Sequence, residues 1–344
     1  MIRLKTLLFG YNFDYRRRDG VGRYAYELHK GLLERHYKHD ILELDDIIHP
    51  LRVGRLPSLV SYMSKGYDMI HIMEPELGWF TRATAKVRIM TWHDMMLFTR
   101  TKKDNVRRIY HNMSGDMAYK NSDIIMCNSS KTRDEVIDYF NDKGEKKFFV
   151  ISHGISENFI KAIPYKGPRK DFIFIGSIQY EHKNLEGLLK AFKEIQKSDP
   201  KQLLYIFTPT PEAENVLNEK LGKLDMNRKN IILTGKTTDD KILSVLKRCI
   251  ATLHLTKEEG QGLPILESMA AGTPVIVLEN AHIPKEVTKY AIKAPENKVA
   301  EEALALRNRS NGASKEAVAY AKSFTYDRTV KEALKVYKYA EELI

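Results

Sequence analysis

The residues best suited to chemistry lie in one stretch, Glu259-Gly260-Gln261-Gly262-Leu263-Pro264-Ile265-Leu266-Glu267. It reads as the end of a strand, a glycine-rich loop and the start of a helix. Pro264 suits the first helical turn, where a missing N–H costs nothing. Gly272 and Pro274 close the same helix. The amides of Gly262 to Ile265 then project from a helix N-terminus, which favours an anion such as a phosphate. Glu267, one turn in, can accept hydrogen bonds from vicinal hydroxyls of the kind a ribose offers. Glu259, before the loop, can face a second polyol, a sugar. The opposing reading is two solvated glutamates flanking a turn. It leaves Gly260, Gly262, Pro264 and Gly272 unexplained at these offsets.

Such a loop needs strands to carry it, and the chain alternates strand-like and helix-like segments. Residues 4–9, 68–73, 89–92 and 123–128 read as strands in the first half, with a helix over 22–34. Another helix begins after Ser129 or Ser130, both good N-caps. A second series starts near Lys170: strands over 171–176, 203–207, 231–233, 251–255 and 275–278. Residues 184–197 form a helix, with Leu185, Leu188, Leu189, Phe192 and Ile195 at helical spacing. This is the grammar of α/β proteins with parallel sheets. Residues 161–170, with Pro164, Gly167, Pro168 and four basic residues, are the best linker. Two doubly wound halves are expected, facing across a cleft, with ligands beyond the carboxyl ends of the strands.

Length and composition agree. The chain has 344 residues, which suits two domains rather than one small core. No apolar run approaches the roughly 20 residues that span a bilayer. The apolar start runs on into Gly10 without a small-residue cleavage site, so it reads as a first strand and the protein as cytoplasmic. The two cysteines, Cys127 and Cys249, each lie in an apolar segment and read as buried thiols, with no metal-ligand spacing. Lys and Arg number 56 against 45 Asp and Glu, a formal charge of +11 that attracts anions. The basic clusters Arg16-Arg17-Arg18 and Lys102, Lys103, Arg107, Arg108 lie in the first half. They read either as solubilising charge or as peripheral contact with an anionic membrane surface. No zinc-finger or aromatic RNA-binding pattern supports nucleic acid as a partner.

The stretch around Glu259 resembles the signature of retaining glycosyltransferases of family 4, which have the GT-B fold of two Rossmann-like domains. The resemblance covers nearly the whole chain. Asp19-Gly20-Val21-Gly22-Arg23-Tyr24 is similar to the family's Gly-Gly-x-Gly-Arg-Tyr loop, and Thr91-Trp92-His93-Asp94 to its His-Asp motif. Ser122-Asp123 through Asn128-Ser129 resembles the strand before the last helix of the N-domain, and Ile151-Ser152-His153-Gly154-Ile155 its Pro-Asn-Gly-Val segment. Ile175-Gly176-Ser177 with Lys183-Asn184-Leu185 resembles its donor-diphosphate segment, and Phe324-Thr325-Tyr326 its closing helix. The resemblance implies an N-terminal acceptor-side domain over 1–160, a nucleotide-sugar domain over 161–324 and a terminal helix, about 325–344, returning to the first.

The resemblance also implies roles. Glu267 holds the donor ribose, Glu259 contacts the transferred sugar, and Lys183 neutralises the diphosphate as charge develops. Ser177, Gly260, Gln261, Gly262 and Leu263 line the donor. Gly20, Val21 and Gly22 approach the diphosphate, where a missing side chain leaves room. His93 touches the transferred sugar; its bland alternative is a core histidine bonded to a backbone carbonyl. Gly235, Lys236 and Thr237 are the region expected to read the base. The implied function is hexosyl transfer from a nucleoside-diphosphate sugar to a glycan, lipid-linked or small-molecule acceptor. The route is a front-face reaction with retention, without cofactor or metal, and the chain contains no Asp-x-Asp.

Two departures stand out. The family's Pro-Arg-Lys-Asn is Glu181-His182-Lys183-Asn184 here, so a fixed guanidinium gives way to a partly charged imidazole. Arg23 and Lys236 are the alternative cations. Gln261 replaces the family's aromatic. The runner-up function is therefore a catalytically impaired nucleotide-sugar-binding protein of the same fold; an epimerase on this architecture lacks the motif support.

Overall fold

The computed structural model describes residues 4–10, 13, 20–43, 66–82, 85–99, 105–309 and 312–344. Asp19, Arg16, Arg17, Arg18, Lys102 and Lys103, singled out above, lie outside the described residues, as do the side chains of Arg107 and Arg108. The chain forms two compact units, Met1–Gly154 with Tyr326–Ile344, and Ile155–Thr325.

The first unit carries a six-stranded sheet in the order β2-β1-β3-β4-β5-β6. Its strands are β1 (Thr6–Gly10), β2 (Asp40–Glu43), β3 (Met69–Ile72), β4 (Val87–Trp92), β5 (Ile124–Cys127) and β6 (Lys147–Val150). All neighbours run parallel. Crossover helices cover both faces of such a sheet, so its inner strands are buried almost throughout rather than on alternate residues. Thus β1 sends Leu7 and Phe9 into one buried cluster and Leu8 into the other. Met90 and Trp92 of β4 part from Ile89 in the same way.

The second unit repeats the plan in the order β12-β11-β10-β7-β8-β9, again all parallel. Its strands are β7 (Phe172–Ile175), β8 (Leu204–Phe207), β9 (Ile231–Thr234), β10 (Ala251–His254), β11 (Val275–Leu278) and β12 (Ile292–Ala294). In each sheet the first strand of the unit has neighbours on both sides from opposite windings. That position is the switch point, where the loops leaving adjacent strands diverge.

Several expected elements appear within a residue or two. The helix Ser130–Phe140 starts from Ser129, whose side chain accepts from the Thr132 amide at 3.1 Å. The helix Leu185–Ser198 buries Leu185, Leu188, Leu189, Phe192 and Ile195, the stripe read from spacing. Cys127 and Cys249 are buried free thiols, and burial pushes both well above the ordinary thiol range.

Two boundaries move. The division between units falls at 154/155, before the expected 160/161, because Ile155 and Phe159 are buried with Ile265, Leu266 and Phe324 of the second unit. Residues 161–170, expected as a linker, are seated on that unit. The Arg169 guanidinium donates to the carbonyls of Lys247 at 2.9 Å, Cys249 at 3.0 Å and Gly272 at 2.7 Å. Proline and glycine there mark irregular backbone, which side-chain hydrogen bonds still fasten.

The last helix, Tyr326–Glu341, belongs to the first unit. It buries Val330, Ala333, Val336, Tyr337 and Ala340 beside the helix Gly20–Glu34. Gly31 permits that approach: a Cβ there would lie 2.5 Å from a Val330 methyl. A Cβ on Gly20 would meet nothing within 4 Å. Gly31→Leu is therefore expected to cost about 1–3 kcal/mol, seen as a thermal midpoint lower by several degrees. Gly20→Ala should stay within about 0.5 kcal/mol of wild type. Equal midpoints for the two variants would contradict this packing.

Candidate functional site

The second unit gathers most of the singled-out residues at the carboxyl ends of its strands. Ser177 and Lys183 follow β7, Glu259 and the glycine loop follow β10, and Gly235, Lys236 and Thr237 follow β9. Strands β7 and β10 are direct neighbours at the switch point, so their loops meet although far apart in sequence. The meeting is pinned through the backbone. The Lys257 amide donates to the His182 carbonyl at 2.7 Å, and the Glu259 amide to that of His282 at 3.1 Å. His282 in turn donates to Lys257 at 2.8 Å.

This frame brings Lys183 Nζ to 2.7 Å from Glu259 Oε1. Both side chains are largely buried, at 15% and 10% exposure. The same oxygen accepts from His254 Nε2 at 3.1 Å. Burial alone would raise the carboxyl of Glu259. The Lys183 charge, with hydrogen bonds from His254 and Lys183, outweighs it and holds the group well below the usual carboxylate range. His254 was not singled out in the sequence. Its only signal there is a polar residue within the apolar run 251–255.

The helix Leu263–Ala270 begins as expected. Gly262 sits in the left-handed region at φ 88°, which favours glycine, and proline occupies the first turn. The set of open amides is smaller than expected. Pro264 has no N–H, and that of Ile265 is taken by the Gly262 carbonyl at 3.1 Å. The amides of Gly262 and Leu263 remain, with no acceptor among the described residues. Ser268 Oγ binds the Pro264 carbonyl at 2.6 Å and accepts from Thr252 Oγ1 at 2.8 Å, fastening this helix to β10. Glu259 and Glu267 are 8% and 7% exposed, so neither is the solvated glutamate of the opposing reading. Gly260 and Gln261 are buried too, whereas Gly235 and Lys236 are exposed and Ser177 is half-buried.

The first unit holds the others. Gly20, Val21 and Gly22 open the helix Gly20–Glu34, running from exposed to buried. His93 follows β4, and its Nε2 meets the Met73 carbonyl at 2.8 Å. A carbonyl only accepts, so Nε2 carries the proton. This is the hydrogen bond of the core-histidine alternative. Asp94 caps the next turn, accepting from the Met96 amide at 2.9 Å. Around His93 stand the Tyr24 ring at 5.3 Å and the His153 ring at 5.1 Å, edge to face, with Tyr24 and His153 stacked at 4.2 Å. Behind them His71 bonds Tyr337 at 2.6 Å and Thr91 at 2.7 Å. Burial, with His93 nearby, pushes His71 down to about 3 and His153 well below its ordinary value. Arg23, named as a substitute cation, is buried in this unit.

Two parallel six-stranded sheets with polar loops at a switch point place the chain in the GT-B class. Sucrose-phosphate synthase from Thermosynechococcus elongatus superposes over 99% of this chain and 100% of its own, with a TM-score of 0.75 at 15% identity. Anabaena HepE, solved with UDP and glucose, covers 97% of this chain and 99% of its own, with a TM-score of 0.71 at 14% identity. The family model for glycosyl transferases group 1 matches residues 156–338, more than half of the sequence. The chain belongs to that family. Among curated relatives, the serotype-specific mannosyltransferase WbdA of Escherichia coli is 27% identical over 53% of this chain, which spans 24% of WbdA. The alpha-monoglucosyldiacylglycerol synthase of Streptococcus pneumoniae is 28% identical over 52% of this chain and 40% of its own length. O-antigen chain mannosyltransferase B of Escherichia coli is 24% identical over 73% and 70%. The chain thus spans well under half of the first two relatives.

The depressed Glu259 carboxyl gives a pH signature. Its stabilising contribution is complete above the unfolded value of about 4.3 and is lost as pH falls toward the lower folded value. Melting midpoints between about pH 2 and 7 should show a flatter acid limb for Glu259→Gln than for wild type. Lys183→Met removes the main opposition to burial, raises the folded carboxyl, and should shrink or reverse the acid loss. Parallel limbs in all three proteins would contradict the pairing.

Proposed function

We propose that the protein moves a hexose from a nucleoside-diphosphate sugar to a glycan, lipid-linked or small-molecule acceptor, with retention of configuration. The observation that carries this reading is the buried Lys183–Glu259 pair beside a glycine-capped helix N-terminus at the switch point of the second sheet. A cation and open amides suit a diphosphate, and acids suit sugar hydroxyls. Glu267, buried one turn into the same helix, takes the ribose. Ser177, Gly260, Gln261, Gly262 and Leu263 complete the donor contacts, and Gly235 to Thr237 lie toward the base. His93, with Gly20, Val21 and Gly22, is the first unit's share of the proposal. Membership of family 4 and a front-face reaction, in which the leaving diphosphate oxygen takes the acceptor's proton, belong to the same reading. So does independence of metal: Lys183 and helix amides act where other transferases use a divalent metal ion.

The relatives' names point in two directions, to an O-antigen chain and to a glucosylated diacylglycerol. A cytoplasmic protein with peripheral contact at an anionic membrane suits either, and no helix among the described residues is long and apolar enough to cross a membrane.

A thermal-shift panel of UDP, GDP, ADP and TDP with their hexoses is expected to identify one base; a ligand at 100 times its Kd stabilises by about 2.7 kcal/mol. With that donor, Glu259→Gln and Lys183→Met should each lower kcat/KM by about 100-fold or more. EDTA should change it less than about twofold, and proton NMR of the product should show the donor's anomeric configuration. Donor binding without transfer under any acceptor supplied would favour the impaired-binder alternative. Unchanged transfer in both variants would refute the site.

A further inference from the structure

One buried group of the second unit has no role in the reading above. His254 ends β10, is wholly buried, and lies at 6.4 Å from the Phe174 ring at 17° between planes. A carboxylate oxygen only accepts, so Nε2 carries a proton and donates it to Glu259 Oε1 at 3.1 Å. Nδ1 is buried and finds no hydrogen-bond partner among the described residues. The imidazole therefore makes a single polar contact, and that contact is to Glu259.

We infer that His254 is a positioning residue for Glu259, holding the carboxylate in place when Lys183 turns to the donor's diphosphate. This rests on the reading of Glu259 and Lys183 as donor-contacting groups. Lys183 Nζ and His254 Nε2 converge on one oxygen, Oε1. Oε2 has no protein partner among the described residues, so it is the atom left for sugar hydroxyls. Lysine is a point charge on a flexible four-carbon stem, and a diphosphate competes for it. A buried carboxylate that lost its only donor would relax toward solvent or take up a proton. The strand-borne imidazole cannot follow the lysine. It keeps Oε1 bonded and Oε2 aimed.

The test uses the full chain and calorimetric binding of UDP-glucose or GDP-mannose, whichever raises the melting midpoint. The glutamine amide nitrogen reaches the position of Nε2, whereas that of asparagine lies near Nδ1 and misses Glu259. His254→Leu and His254→Asn should weaken nucleotide-sugar binding by about 10- to 100-fold, and His254→Gln by less than about fivefold. In a Glu259→Gln background, loss of His254 should change affinity by less than about twofold, because both act through one carboxylate. If the leucine variant does not fold, the contrast between asparagine and glutamine still decides. Equal affinities for those two, or a full additive loss in the double variant, would overturn the inference. Wild-type binding and transfer by Glu259→Gln alone would instead overturn the underlying reading of Glu259.

Discussion

A carboxylate removed from water sets the terms for the second unit. An ionised acid is tolerated there only when donors surround it, and Glu259 has a lysine and a histidine on one oxygen. Neither donor is local in the sense of a helix pair. The lysine arrives on the turn after β7 and the histidine on β10 itself. The ion pair therefore requires the two strands to be neighbours and their loops to be locked. The backbone bond from Lys257 to His182, and the exchange between Lys257 to Glu259 and His282, supply that lock. The glycine at φ 88° and the proline behind it then turn the chain into a helix whose first amides remain open.

The first unit solves a different problem. Its polar core is made of rings rather than ions: Tyr24, His93 and His153 in mutual contact, with His71 tied to Tyr337 and Thr91. Burial disfavours the charged form of histidine, so His71 and His153 stay neutral at physiological pH. Neutral imidazoles need little solvation, which lets several share one apolar interior. Tyr337 reaches His71 from the last helix, so the chain's final element completes a group begun by its third strand.

Much of the fold was legible because buried parallel strands write themselves as apolar runs. β1, β3, β4, β5, β7, β8, β10 and β11 are all visible that way, and so is β9 although it lies at a sheet edge. The three strands missed, β2, β6 and β12, are sheet edges. One face of an edge strand meets water, and Lys147–Val150 and Asp40–Glu43 accordingly lack a fully buried residue. β2 and β12 have no apolar run to announce them, whereas β6 has a short one, Phe148-Phe149-Val150-Ile151, on a strand that stays partly exposed. The linker expected at 161–170 failed for a related reason: composition reports irregular backbone but is silent on the carbonyls a single guanidinium will bind.

For the site, local sequence was enough wherever the physics is local. The glycine at the helix cap, the proline in the first turn and the glycine that ends the helix are dictated by backbone torsion, and each was readable from its neighbours. Partnership was not. That Lys183 grips Glu259, that His254 shares it, and that His93 leans on the Met73 carbonyl depend on which groups the sheet order brings within 3 Å or so. A hydrogen bond is a statement about distance in space. Spacing along the chain determines that distance within a turn or a helix, and only the folded sheet determines it between strands.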